Sequence, residues 1–230
     1  MIADKLLHVQ ARIASACAAA HRPVQSVTLL AVTKTFGADA VREAYACGQR
    51  AFAENYVQEG VDKIEALADL RQAIEWHLIG PLQANKTRVV AEHFDWVHSV
   101  DRLKVAERLS AQRPADLPPL SVCIQVNISG EASKSGVDAA GLPALARGVA
   151  ALPRLRLRGL MAIPEVVGDF EAQQRPHRDL HALFQALRDD GLPLDTLSAG
   201  MSGDLEAAIA AGATMVRVGT AIFGGRPAAA

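Results

Sequence analysis

Short apolar segments rich in β-branched residues alternate with longer segments of helical periodicity throughout the 230 residues. The predicted strands are residues 27–33, 51–53, 75–79, 94–98, 120–126, 156–162, 194–198 and 214–218. Eight strand–helix units without a long linker or low-complexity stretch favour a closed parallel sheet surrounded by helices. We therefore predict an α/β fold, a single (β/α)8 TIM barrel that spans residues 1–230 as one domain.

Helical periodicity is clearest in two of the predicted strand–helix units. The segments after the first strand and before the last strand both place apolar or small residues at i, i+3, i+4 and i+7. Each of these helices ends at a glycine, Gly48 or Gly212, in the position of a left-handed C-terminal cap. The amphipathic N-terminal segment, residues 1–23, predicts an extra helix before the first strand, and we expect it to cover one mouth of the barrel.

Composition excludes several classes of function. The formal net charge is −1 and aromatic residues make up 4% of the chain, which argues against nucleic-acid binding and an anionic membrane partner. No apolar run approaches the roughly 20 residues that span a bilayer, and the N-terminus lacks a signal core. The three cysteines lack metal-ligand spacing and suit a reducing compartment. We expect a cytoplasmic monomer without a metal, with "HRDLH" (177–181) on a solvated helix.

Mostly polar residues stand at the ends of the predicted strands. They are Lys34, Glu54, Asn55, His77, His98, Asn127, Met161, Ser198 and Arg217. A parallel barrel brings the carboxyl ends of its strands to one mouth, where barrel enzymes concentrate their chemistry. The fold prediction therefore gathers these side chains at a single site.

The last two strand ends predict a phosphate site. Ser202 opens a predicted helix after the seventh strand, and Gly219 and Thr220 follow the eighth strand with backbone N–H groups that can face an anion. These two loops form the usual phosphate cradle of this architecture. Asp204 and Glu206 lie in the same helical turn as Ser202, so we expect their carboxylates to point away from the anion.

Lys34 and Arg217 narrow the ligand further. A neutral lysine amine forms Schiff bases with carbonyl compounds, so Lys34 opposite a phosphate cradle indicates a phosphorylated aldehyde. An arginine beside a pyridine nitrogen acts as a donor and leaves that nitrogen unprotonated, which makes the ring a poor electron sink. This set of groups fits pyridoxal 5'-phosphate (PLP) better than a sugar phosphate.

Seven segments resemble, in order and spacing, the pyridoxal phosphate homeostasis proteins, single-domain relatives of the alanine racemase N-terminal barrel. They are "LLAVTKTF", "FAENYVQE", "WHLIGPLQANK", "HSVDR", "QVNISGEASKSG", "GLMAIP" and "GMSGDLEAAIAAGATMVRVGTAIFG". The resemblance implies PLP as cofactor and Lys34 as the Schiff-base lysine. It also implies phosphate contacts from Ser202, Gly219 and Thr220, Arg217 at the pyridine nitrogen, and a ring pocket lined by Asn55, His77 and Met161.

The same resemblance implies a mobile loop at "SKSG" (133–136). Two interpretations of its lysine, Lys134, stay open. We favour an exposed loop lysine, and the alternative is a second amine that meets cofactor in transit.

The function predicted from these features is that of a carrier. Racemisation needs two opposed acid/base groups, and in alanine racemase the second is a tyrosine from an additional β-domain. We expect no such domain after Thr220, and Tyr45 and Tyr56 fall in predicted helices behind the mouth. A non-catalytic protein that binds PLP reversibly and passes it to apo-enzymes is therefore the preferred prediction. The alternatives are a slow PLP-dependent amino-acid racemase and a lysine-dependent aldolase that uses the same mouth without pyridoxal.

Overall fold

Eight parallel strands close into a barrel in the computed structural model, which describes residues 1–130, 135–165 and 168–225. The strands are β1 (Thr28–Val32), β2 (Ala51–Glu54), β3 (Glu75–Leu78), β4 (Trp96–Val100), β5 (Leu120–Gln125), β6 (Leu155–Met161), β7 (Thr196–Ser198) and β8 (Met215–Val218). Each strand pairs with its neighbours in sequence, and β1 closes the barrel on β8. The predicted (β/α)8 barrel is confirmed, while the assignment of all 230 residues to one domain stays a prediction.

Helices surround the barrel on its outer face. They are α1 (Ile2–Ala19), α2 (Ala38–Ala46), α3 (Val57–Ala66), α4 (Thr87–His93), α5 (Leu103–Gln112), α6 (Leu142–Ala150), α7 (Phe170–Asp189), α8 (Leu205–Ala210) and α9 (Thr220–Phe223). The two predicted caps are left-handed, with φ of 96° at Gly48 and 102° at Gly212. Across the described ranges, none of these helices combines the length and the apolar character needed to cross a membrane.

The N-terminal helix α1 lies in the outer layer, so the prediction that it covers a mouth is wrong. Its buried face, Leu6, Val9, Ile13 and Cys17, packs against the outer helices α2, α8 and α9. Within the described residues only the four-residue α9 follows β8, which leaves the outer wall between α8 and α2 without a full helix. Helix α1 fills this gap and covers apolar surface that would otherwise meet water.

The barrel interior contains both apolar and polar side chains. Its apolar part is the cluster Leu30, Val32, Ala51, Ala53, Ile79, Trp96, Cys123, Met161 and Met215. His77, His98, Ser198 and Arg217 are buried in the same interior, none of them more than 3% exposed. Buried polar groups are costly unless they are hydrogen-bonded, so the partners of these four residues matter for the site above them.

Candidate functional site

A cavity of about 480 Å³ opens at the carboxyl ends of the strands. Six of the eight site residues predicted from the sequence line it: Lys34, Asn55, Ser202, Arg217, Gly219 and Thr220. Further lining comes from Val32, Thr35, Phe36, Ile79, Ile163, Met201, Gly203 and Gly224. A concave site with apolar walls and a few convergent polar groups is typical of small-molecule binding.

Lys34 is held at the cavity by anchors on both sides. Thr35 adopts a left-handed backbone with φ of 68°, which is strained for a β-branched residue. Its N–H donates to Glu59 Oε1, 2.5 Å away, and the carbonyl of Thr33 accepts a 2.6 Å hydrogen bond from Lys63 Nζ. Both anchoring side chains belong to α3, so this helix fixes the direction in which the chain presents Lys34.

Two polar groups on the cavity wall have no partner within the described ranges. No residue there pairs with the half-buried amine of Lys34 or accepts a hydrogen bond from it. Asn55 Oδ1 is buried, and no described residue donates to it. An unpaired amine can attack a carbonyl carbon, and an unpaired amide oxygen can accept a hydrogen bond from a polar ring substituent. Both groups are thus available to a ligand.

The loop that carries Ser202 is held from behind by a buried pair, Asp204 and His177. Met201 N donates to Asp204 Oδ1 at 2.7 Å, and His177 Nε2 lies 3.0 Å from Asp204 Oδ2. Burial acts to raise the pKa of Asp204, but the hydrogen bonds from His177 and Met201 outweigh it and lower that pKa. Because α7 turns His177 toward this loop, the prediction of a solvated "HRDLH" helix is wrong for His177, which is 3% exposed.

A second anchor for this loop comes from α1. Arg12 donates to the carbonyl of Ser202 at 3.0 Å and to both carboxylate oxygens of Glu206, at 2.7 and 2.9 Å. The carboxylate of Glu206 is therefore held by α1 and that of Asp204 by α7, and both helices lie on the outer face of the barrel. The expectation that both carboxylates point away from the anion site agrees with these contacts.

Arg217 reaches the base of the cavity from β8. Its Nη1 donates to Ser198 Oγ at 2.8 Å and its Nη2 to the carbonyl of Ala162 at 2.9 Å. Burial lowers the pKa of Arg217 to about 10, so the guanidinium stays protonated near neutral pH. None of the residues that the structure describes accepts a hydrogen bond from Arg217 Nε. That N–H can therefore be offered to a ligand.

His77 and Met161 do not line the cavity. Both are completely buried in the barrel interior, one layer of side chains lower. Alternate residues of a strand share a face, so Ile79 and Ile163, two positions further along, form the cavity wall instead. This alternation was the sequence signal that could have found Ile79 and Ile163.

Several other predicted residues lie elsewhere than expected. Glu54 turns to the outside of the barrel, where it meets Lys63. Tyr45 lies in α2, whereas Tyr56 precedes α3 with an extended backbone and is 54% exposed. The prediction of a helical position is therefore wrong for Tyr56, because the chain is still extended as it leaves β2. Lys134 lies outside the described residues.

Comparison with known proteins places the chain in a family. The model of the alanine racemase N-terminal domain matches residues 6–227. A relative from Pseudomonas aeruginosa, named pyridoxal phosphate homeostasis protein, is 60% identical over 98% of this chain and 96% of its own length. The chain belongs to the pyridoxal phosphate homeostasis proteins of the alanine racemase N-terminal domain family. The resemblance seen in the sequence is confirmed.

Solved structures agree with the assignment to the pyridoxal phosphate homeostasis proteins. The structure of PipY from Synechococcus elongatus PCC7942 with PLP bound superposes with a TM-score of 0.84 and 38% identity. The alignment covers 97% of this chain and all of PipY. Alanine racemase from Corynebacterium glutamicum has a TM-score of 0.67 at 18% identity, over 98% of this chain and 62% of the racemase. That second likeness is one of fold alone.

Proposed function

We propose that this chain binds PLP, with Lys34 joined covalently to the aldehyde carbon, and that it acts as a carrier in intracellular PLP homeostasis. The observation that carries the proposal is the amine of Lys34, which has no partner among the described residues and shares one cavity with the loops of Ser202 and Thr220. The name of the Pseudomonas aeruginosa relative and the PLP-bound structure of PipY support it.

The residues around the cavity fit this cofactor group by group. The Ser202 hydroxyl and the backbone N–H groups of Gly203, Gly219 and Thr220 offer donors to a phosphate. Asn55 Oδ1, to which no described residue donates, can accept a hydrogen bond from a ring substituent. When bound, PLP would supply an electrophilic aldehyde on an aromatic ring that accepts electron density.

Arg217 and the tyrosines favour a carrier over an enzyme. A guanidinium at the ring nitrogen donates a hydrogen bond and keeps its own proton, so the ring nitrogen stays neutral and accepts electrons weakly. Within the part of the chain that the structure describes, no tyrosine lines the cavity. Lys34 can therefore exchange a proton on one face of a bound amino acid, with no opposed tyrosine on the other face.

The decisive experiment is the absorption spectrum of the purified protein with added PLP. We expect a yellow protein that borohydride bleaches, with the reduced adduct on the peptide containing Lys34. Lys34→Ala should stay folded and lose the adduct, whereas Lys104→Ala, at an exposed position on α5, should keep it. An unchanged adduct in Lys34→Ala would contradict the assignment of the amine.

A transfer assay tests the carrier role separately. The holo-protein is mixed with the apo-form of a PLP-dependent enzyme, and recovered activity is followed over time. We expect recovery to proceed as cofactor leaves the holo-protein. Retention of PLP without transfer would contradict the carrier role and leave the binding proposal intact.

A further inference from the structure

A continuous row of hydrogen bonds crosses the barrel interior from Arg217 to Glu75. Arg217 Nη1 lies 2.8 Å from Ser198 Oγ, which lies 2.8 Å from His98 Nδ1. His98 Nε2 lies 3.0 Å from His77 Nδ1, and His77 Nε2 lies 2.8 Å from Glu75 Oε1. We refer to these five residues as the interior row. Four strands contribute to it, and it connects the cavity with the opposite end of the barrel.

The two ends of the interior row differ in what they can do. A guanidinium only donates hydrogen bonds, and a carboxylate only accepts them. The side chain of Glu75 is 49% exposed at the start of β3, whereas the other four members are almost completely buried. The hydrogens of Ser198, His98 and His77 must therefore be placed so that they connect the donor Arg217 with the acceptor Glu75.

Glu75 is an ionised acceptor near neutral pH. Burial acts to raise the pKa of Glu75, but hydrogen bonds from His77 and Trp96 and the charge of Arg158 outweigh it and lower that pKa. The Trp96 ring also stacks on His77, with ring centroids 5.3 Å apart. The guanidinium carbon of Arg158 lies over the same Trp96 ring, 4.6 Å from its centroid. His77 Nε2 therefore carries the hydrogen that Glu75 accepts.

His98 is neutral, which fixes the middle of the interior row. Burial, together with the positive charge of Arg217, keeps the pKa of His98 well below its usual value. If His98 Nδ1 carried a hydrogen, both His98 and Arg217 would donate to Ser198 Oγ. The hydroxyl hydrogen of Ser198 would then have no acceptor among the described residues. Ser198 therefore donates to His98 Nδ1, and His98 Nε2–H donates to His77 Nδ1. Every shared hydrogen then points from Arg217 toward Glu75.

We propose that Ser198, His98, His77 and Glu75 are positioning residues for Arg217. The interior row fixes the guanidinium of Arg217, a residue that lines the cavity, and couples it to a carboxylate at the far end of the barrel. Hydrogen bonds in such a chain polarise one another, so a change at Glu75 is felt at Arg217. The proton arrangement stands on the interior row alone, and its effect on bound PLP rests on the proposed function.

The proton arrangement is tested on the protein without added cofactor. Long-range ¹H–¹⁵N correlation spectra at pH 7.5 identify which ring nitrogen of each histidine carries hydrogen. We expect hydrogen on Nε2 and an unprotonated Nδ1 at both His77 and His98. Hydrogen on Nδ1 of either ring, or a doubly protonated His98, would overturn the arrangement.

The effect on the ligand is tested with PLP and two variants of one residue. In His98→Gln the amide oxygen can accept from Ser198 and the amide N–H can donate to His77, so the row is kept. His98→Leu has similar bulk and breaks it. We expect His98→Leu to shift the absorption maximum of bound PLP and to weaken PLP binding about tenfold, with His98→Gln near wild type. An unchanged spectrum and affinity in folded His98→Leu would overturn the proposal.

Glu75→Gln decides the question if His98→Leu does not fold. Its amide oxygen still accepts from His77, but the negative end of the row is gone. We expect a shifted PLP spectrum in this variant and none in Glu107→Gln, at an exposed position on α5. An unshifted spectrum in Glu75→Gln would overturn the coupling. If the wild-type protein does not bind PLP, the proposed function fails. The correlation spectra still test the proton arrangement of the interior row, because they need no cofactor.

Discussion

Lys63 and Glu54 form a buried ion pair, with Nζ 2.8 Å from Oε1 and side-chain exposures of 6% and 0%. The same ammonium donates to the Thr33 carbonyl and to Glu59 Oε1, so each of its three hydrogens has an acceptor. Burial raises the pKa of Glu54, and Lys63 opposes this shift. Because Glu59 also binds Thr35 N–H, the pair supports both neighbours of Lys34.

Replacing Lys63 by methionine should strongly destabilise the protein. The substitution leaves Glu54 buried beneath α3 without its cation, and breaking a buried pair in this way costs about 3–5 kcal/mol. Guanidinium unfolding monitored by circular dichroism measures the loss. Lys104→Met, at an exposed position on α5, should change the free energy of unfolding by less than about 0.5 kcal/mol. A similar small change in Lys63→Met would show that the pair is not structural.

Removing the Ser202 hydroxyl should weaken PLP binding selectively. A hydrogen bond to a charged phosphate contributes roughly 1–2 kcal/mol, and unphosphorylated pyridoxal lacks that partner. Titrations of Ser202→Ala with PLP and with pyridoxal, followed by absorbance, give the two affinities. Ser26→Ala, outside the cavity, is the matched control. Equal losses for both ligands would place the Ser202 hydroxyl away from the phosphate.

Asp204→Asn should lower stability in a pH-dependent manner. The folded-state pKa of Asp204 is depressed, so its ionised form adds stability above the unfolded pKa of about 3.9. This contribution is lost as pH falls through the folded-state pKa. We expect a deficit of about 1–3 kcal/mol in the variant at pH 7 that shrinks toward pH 3.

Urea unfolding at several pH values, with the exposed Asp116→Asn as control, measures the Asp204 effect. A deficit that is the same at pH 7 and pH 3 would mean that the carboxylate charge is not responsible. Because Asp204 holds the loop of Ser202, the variant should also retain PLP less well.

Racemase activity should be negligible with common L-amino acids. We expect Lys34 to exchange a proton on one face of a bound amino acid only. Tyr56 does not line the cavity, so it should not exchange a proton on the other face. Incubation in deuterated water, with the α-proton and the enantiomer followed together, separates exchange from racemisation. Exchange with retained configuration fits a one-faced site. Sustained formation of the D-enantiomer, lost in Lys34→Ala or Tyr56→Phe, would make this protein an enzyme.

The sequence predicted those parts of the molecule that depend on local periodicity. Lys34, Ser202 and Arg217 were found because strand ends are visible as breaks in an apolar pattern, and parallel closure brings such ends together. The same reasoning selected His77, which lies one layer below the cavity, because it favoured polar residues at the strand end and passed over Ile79, the next residue on the same face.

The partners of the buried polar side chains could not be predicted from the sequence. The burial of Lys63 depends on Glu54 and on the Thr33 carbonyl, which only the tertiary fold brings to it. His177 was misplaced for the same reason, since Asp204 belongs to a different strand–helix unit. The place of α1 depended on where the outer wall lacked a helix, which no local pattern encodes.

The closure of β1 on β8 also has a consequence for biosynthesis. A ribosome releases Lys34 early and Ser202 and Arg217 late, so a growing chain exposes the amine long before the loops of Ser202 and Thr220 exist. Vectorial synthesis therefore separates the two halves of the site in time. A complete cavity, and with it any ligand binding there, can therefore exist only after translation has passed the final strand.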